Sequence, residues 1–204
     1  MEHRTLISIG RQFGSGGKRT ALSLGRKLGI EVYDNELIIK AAEHSGYSPE
    51  FFRKRDEKTS LLTLQSFFGG MNQYSAGNSY LNDNALFEIQ SETIRAIASQ
   101  GDAIFVGRAS DYVLRDFGCL DVFISAPLEQ RIRNVAEREG ISAAEAESLI
   151  RKKDRSRETY YNYVTFGNWG VAANYDLCID SSVLGIEGTA DVIIEFGRKK
   201  GIIR

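Results

Sequence analysis

The sequence predicts an α/β chain, a parallel β-sheet covered by helices on both faces, and three observations predict it. Short apolar runs alternate with segments of helical period at the spacing of strand–helix–strand units. Glycines cluster between the first such run and the first helical segment. A length of 204 residues, 42% of them apolar, is enough for one domain with a sizeable core. With no internal repeat and no Pro-rich linker, residues 1–204 read as that single domain.

Residues 6–9 form a strand-sized apolar run ending at Gly10. From Lys18 onward Ala21, Leu22, Leu24 and Leu28 recur at helical spacing until Gly29, which suits the left-handed residue that closes many helices. Residues 30–33 read as a second strand, and Leu37, Ile38, Ala41 and Ala42 as a helix ending near Gly46. Ser48-Pro49-Glu50 has the form of another helix start, a Ser cap followed by Pro at the first helical position. The stretch 67–84, FFGGMNQYSAGNSYLNDN, has neither period and little charge, so it is expected to be a long flexible loop of functional use. Helical period returns over 85–99. After it come a strand at 103–106, a Gly107-Arg108 turn, a strand at 122–125, helices at 128–138 and 142–157, a strand at 177–179 and a helix at 186–199.

Lys and Arg number 26 against 27 Asp and Glu, a balance that argues against broad nucleic-acid binding. The apolar runs are far short of a membrane span. Cys119 and Cys178 follow no signal-like start and have no ligand cluster near them, so a reducing cytoplasm is expected, with both thiols buried as small apolar groups. No His, Cys and carboxylate set has metal-ligand spacing, which argues against structural zinc.

The sharpest local signal is Gly10-Arg11-Gln12-Phe13-Gly14-Ser15-Gly16-Gly17-Lys18-Arg19-Thr20, between the first strand and the first helix. Glycines let backbone N–H groups point inward around an anion, the helix start adds positive potential, and a lysine in its first turn reaches terminal phosphates. The segment departs from a full GxxxxGK(S/T) pattern. Gln12 stands at the first glycine and Arg19 at the magnesium-holding Ser or Thr, a part left to Thr20. The dinucleotide fingerprint fails at Arg19, and the chain has neither the DxxG nor the NKxD motif of GTPases. Phosphoryl transfer to a small molecule fits best.

Such transfer needs cations around a group whose charge spreads over three oxygens. Arg108 directly follows the 103–106 strand, at the carboxyl edge where open parallel sheets bind ligands. Residues 131–157 carry eight Lys or Arg against five Asp or Glu, and Lys153, Arg157 and Tyr161 fall on one helix face that can close as a lid. That same stretch equally suits a solvated charged helix with pairs such as Asp154 to Arg157. Asp34, just after the second strand, suits either acceptor binding or a helix cap. Glu36 and Asp111 are further acidic candidates.

The pieces SIGRQFGSGGKRTALSLGRKLG (8–29), VYDNELI (32–38), FVGRASDYVL (105–114), VFISAPLEQRIRN (122–134), KKDRSRETYY (152–161) and NWGVAANYDLCID (168–180) together resemble the cytidylate kinase-like family of P-loop nucleoside monophosphate kinases. The resemblance implies a three-layer core with five parallel strands, an acceptor-binding region over 34–84 and a helical lid over 151–170. It implies transfer of the ATP γ-phosphate to CMP or dCMP with Mg²⁺. By position, Gly14, Ser15, Gly16, Gly17, Lys18, Arg19 and Thr20 would hold ATP, Asp34 and Arg108 the acceptor. Lys18, Arg131, Lys153 and Arg157 would stabilise the transferring group, with Tyr160, Tyr161 and Trp169 packing the lid or stacking on a base. Val106 stands where cytidylate kinases carry Asp, and residues 51–84 do not match the family's acceptor insert. Two other readings therefore stay open: a nucleotide-binding regulatory protein without turnover, and a kinase of a non-nucleotide metabolite.

Overall fold

The computed structural model describes residues 4–38 and 79–204, with side chains in the helix that begins at Ser79 described from residue 87. Five strands, β1 (Leu6–Arg11), β2 (Val32–Tyr33), β3 (Ala103–Val106), β4 (Leu120–Ser125) and β5 (Leu177–Asp180), form one sheet in the order β2-β3-β1-β4-β5. Every pairing is parallel, with Leu6 beside Ala103 and Ile7 beside Leu120 fixing the central register. Among the described residues the helices are α1 (Gly17–Leu28), α2 (Ser79–Gln100), α3 (Ser110–Val113), α4 (Leu128–Glu139), α5 (Ala143–Thr165) and α6 (Ser181–Lys199), with a 3₁₀ turn at Ala172–Asn174.

Alternation along the strands explains why both faces are covered. Ile7, Ile9, Ile104 and Val106 point to one side, where Ala21 and Leu24 of α1 and Ala190 and Ile193 of α6 close over them. Leu6, Ala103 and Phe105 point to the other, against Ile94 and Ala98 of α2 and Val113 and Leu114 at α3. The three-layer expectation holds. Because β3 lies on one side of β1 and β4 on the other, the chain reverses its direction of travel across the sheet at β1, and a crevice opens at its carboxyl end.

Several boundaries differ from the sequence reading. Residues 79–84 are helical rather than part of a flexible loop, because Ser, Asn and Asp are well suited to a helix start and a turn added to a formed helix costs little. The helix expected to stop at residue 157 runs to Thr165, started by a capping box in which Ser142 and Glu145 bond reciprocally. α6 starts at Ser181 but breaks at Gly185 (φ 65°), so its regular part does begin at Ile186. Cys119 is buried as expected, whereas Cys178 is exposed, since it lies on the outward face of the edge strand β5. The helix expected over 39–46, the start at Ser48-Pro49-Glu50 and residues 67–78 of the expected loop lie outside the described residues. Among the described residues, no helix is long and apolar enough to cross a membrane.

Candidate active site

The glycine loop leaves β1 and wraps into α1 at the crevice. Gly14 (φ 82°) and Gly16 (φ 80°) are left-handed, which turns successive amides toward one point. Among the described residues, the N–H groups of Gly14, Gly16, Gly17, Lys18 and Arg19 make no hydrogen bond to the protein, while Thr20 N–H returns to the Gly16 carbonyl at 2.9 Å. Five unpartnered amides at a helix start form an anion cradle.

Side chains hold this loop from behind. The buried Ser15 hydroxyl donates to the carbonyls of Gln12 (2.9 Å) and Ile124 (3.0 Å), so it braces the loop against β4 and leaves ligand contact to the backbone. Gln12, which breaks the glycine pattern, accepts from Ala126 N–H at 3.2 Å through its side-chain oxygen. Ser181 donates to the Ser15 carbonyl at 2.6 Å, fixing the end of β5 to the loop. Thr20, expected to replace the magnesium-holding residue, is buried with its hydroxyl on the Gly16 carbonyl at 3.3 Å.

Each expected cation has a definite place. Lys18 forms a 2.6 Å ion pair with Asp34, whose other oxygen accepts from the N–H groups of Glu36 and Leu37, so Asp34 both faces the loop and caps the helical turn at 35–38. Burial pushes the Asp34 carboxyl up, but Lys18 and the two N–H groups outweigh it and hold its pKa below the ordinary value. Arg19 and Lys153 are exposed. Arg131 differs from expectation: it is buried, donates to the carbonyls of Ala126 (3.0 Å) and Phe13 (3.4 Å), and pairs with Asp154 at 2.5 Å. Its donors brace the loop, because α4 packs so close to Gly14 that a methyl group there would lie 3.0 Å from the Arg131 carbonyl oxygen.

Helix α5, which carries the segment expected to act as a lid, is docked on the loop. Asp154 accepts from Phe13 N–H at 2.7 Å, and Arg157 donates to the Arg11 carbonyl at 3.0 Å. The Asp154 to Arg157 contact foreseen from the sequence is present at 3.9 Å but is secondary to the pair with Arg131. Tyr161 donates to Asp111 at 2.6 Å, Tyr160 to Gln90 at 3.2 Å, and Trp169 packs edge-on against Phe123. These aromatics pack the lid onto the body.

Arg108 is presented by a strained turn. Gly107 (φ 76°), Arg108 (φ 62°) and Ala109 (φ 51°) are left-handed in succession, and the last two are not glycine. Its guanidinium lies 5.5 Å from the centre of the Tyr160 ring, and burial lowers its pKa. Burial also brings Arg157 down to about 10, with Arg108 and Arg138 adding to the effect against Asp154.

The sequence alone assigned no site role to Arg11 or Phe13, and placed Asp154 only in an ion pair with Arg157. Arg11 ends β1 within electrostatic reach of Arg108 and Arg157, and burial followed by those two cations drives its pKa well below the ordinary value. Its signal was an arginine directly ahead of the glycines. No local signal marked the contact of Phe13 with Asp154, which joins residues 141 apart in the chain.

Guanidinium groups beside a set of unpartnered amides offer hydrogen-bond donors of the kind that phosphate oxygens accept. The donors present suit phosphates better than a free metal ion. Among the described residues no three His, Cys, Asp or Glu side chains gather as ligands, so Mg²⁺ here would depend on phosphate oxygens and water, with Asp34 as the nearby carboxylate.

Comparison with known proteins gives the family and the fold. Residues 6–183 match the model of the cytidylate kinase-like family. A cytidylate kinase of Methanopyrus kandleri is 28% identical over 187 residues, covering 87% of this chain and 84% of the relative. One of Aeropyrum pernix is 28% identical over 193 residues, covering 93% and 96%. Among solved structures, an uncharacterized protein from Eubacterium ventriosum superposes with a TM-score of 0.74 at 24% identity over 96% of this chain and 99% of that one. Shikimate kinase from Bacteroides thetaiotaomicron superposes with a TM-score of 0.54 at 13% identity over 95% and 98%. These two likenesses show the fold.

Proposed function

This chain belongs to the cytidylate kinase-like family, and from that premise we propose that it transfers the γ-phosphate of ATP to CMP, dCMP or a similar small acceptor. The observation that carries the proposal is the set of five unpartnered amides at Gly14 and Gly16 to Arg19, facing a sheet edge where arginines converge. In this reading the loop Gly14, Ser15, Gly16, Gly17, Lys18, Arg19 and Thr20 holds the ATP phosphates, mainly through backbone N–H groups. Arg108 and Asp34, just past the ends of the neighbouring strands β3 and β2, meet the acceptor.

Arg157 neutralises charge on the group in flight, and the exposed Lys153 reaches it when the lid tightens over both ligands. Arg131 acts one step removed, as a positioning residue that keeps Phe13 and Asp154 in register beneath the loop. A closed lid excludes water, which strengthens each cationic contact and suppresses hydrolysis. Mg²⁺, when carried in by the nucleotide, supplies further neutralisation of the phosphate oxygens.

Two observations favour a second reading, a nucleotide-binding protein with little or no turnover: β3 ends in Val106 rather than a carboxylate, and the Thr20 hydroxyl is turned to the Gly16 carbonyl. A single assay separates them. Purified protein with ATP and Mg²⁺ is tested against CMP, dCMP, UMP, AMP and non-nucleotide alcohols, with products resolved by chromatography. A nucleoside diphosphate formed from CMP or dCMP supports transfer. ATP binding with no product from any acceptor supports the second reading.

A further inference from the structure

We propose that Arg11 is a phosphate-contacting residue of this site, holding the terminal phosphate of a nucleoside triphosphate with the guanidinium that it lays from the start of α1 to the turn after β3. The assignment deepens the phosphotransfer reading and rests on it for the identity of the ligand.

The place where a helix-start lysine would stand is taken. α1 begins at Gly17, which has no side chain, and Lys18 turns to Asp34 at the end of β2. Over Gly17 lies the stem of Arg11: a methyl group built on Gly17 would come within 2.5 Å of Arg11 Cβ and 2.9 Å of Cγ. At its other end the guanidinium rests on Gly107, where a methyl group would overlap Nη1 and lie 2.8 Å from Cζ. Two glycines on separate elements thus make room for one arginine. That side chain bridges the anion cradle and the turn that presents Arg108.

Charge around it is unbalanced. Arg108 and Arg157 both repel Arg11, while the two carboxylates that attract it, Asp34 and Asp154, are already engaged by Lys18 and by Arg131 with Phe13 N–H. Among the described residues the guanidinium makes no hydrogen bond. Five N–H donors on a desolvated cation call for an anion. The γ-phosphate is the anion that the adjacent amides would deliver to it.

The test compares binding of a non-hydrolysable ATP analogue and of ADP, by calorimetry, to the wild-type chain, Arg11→Met and Arg11→Lys. Methionine keeps an unbranched stem over Gly17 and removes the donors. Loss of charge-assisted hydrogen bonds to the γ-phosphate predicts about tenfold or greater weakening for the analogue in Arg11→Met, with ADP affinity near wild type and partial recovery in Arg11→Lys. Should Arg11→Met fail to fold, Arg11→Gln keeps a polar side chain over Gly17 without the charge and is expected to show the same selective loss. An unchanged ratio of analogue to ADP affinity in Arg11→Met, or in Arg11→Gln in its place, overturns the assignment, as does a wild-type chain that binds neither nucleotide. A wild-type chain that discriminates the two through Arg11 yet phosphorylates no acceptor leaves the assignment standing and refutes phosphotransfer.

Discussion

Removing the Asp154 carboxylate should show how the glycine loop is held. Asp154 accepts from Phe13 N–H at 2.7 Å and pairs with Arg131 at 2.5 Å, and the two charged side chains are 18% and 10% exposed. In Asp154→Ala the Arg131 guanidinium stays buried with its charge unpaired, a loss of about 3–5 kcal/mol. The remaining contacts to the Ala126 and Phe13 carbonyls set the value toward the lower end. For a chain of this size that corresponds to a fall of about 6–20 °C in Tm. A double-mutant cycle with Arg131→Met in urea isolates the pair, since removing both charges leaves neither unpaired. The double variant is expected to recover stability, with a coupling energy of about 1–3 kcal/mol. Additive losses within about 0.5 kcal/mol would refute the bracing role given to the pair.

Two further outcomes follow from the same geometry. Asp121, on β4, has one buried oxygen without a hydrogen bond, and burial, then Asp111 and Asp176, raise its pKa from 3.8 to about 7 against Cys119 and Lys200. Between those two values the folded chain keeps a proton that the unfolded chain releases, so stability falls as pH rises through that window, by up to about 4 kcal/mol. Asp121→Asn should therefore raise the urea midpoint at pH 8 far more than at pH 4, and an equal gain at both would contradict the assignment. Gly14→Ala places a side chain at φ 82° and 2.9 Å from a Val135 methyl; it should lose about 1–3 kcal/mol and weaken ATP binding, and wild-type behaviour in both would show that the loop has another conformation.

Local pattern made much of this legible. Gly29 closes α1 in the left-handed conformation that only the absence of a side chain makes easy, so that helix end could be read directly. The five strands announced themselves because sheets covered on both faces need nearly continuous apolar runs. Harder were features decided by tertiary contact. Arg131 and Arg157 look alike in sequence, yet one is buried as a brace and the other lies between the lid and Arg11. Lys18 sits where a phosphate-binding lysine was expected, but the one-residue offset of the helix start hands that position to Gly17 and its space to Arg11. Short α3 was invisible because its four residues are set by the strained turn at Gly107–Ala109 rather than by any period.

The central claim is that the turn between β1 and α1 closes around a nucleotide's phosphates. A crystal of the chain grown with a non-hydrolysable ATP analogue tests it most directly. The account predicts phosphate oxygens within hydrogen-bond distance of the amides of Gly14 and Gly16 to Arg19, with the terminal phosphate against Arg11. An analogue bound elsewhere while those amides face only solvent would contradict it.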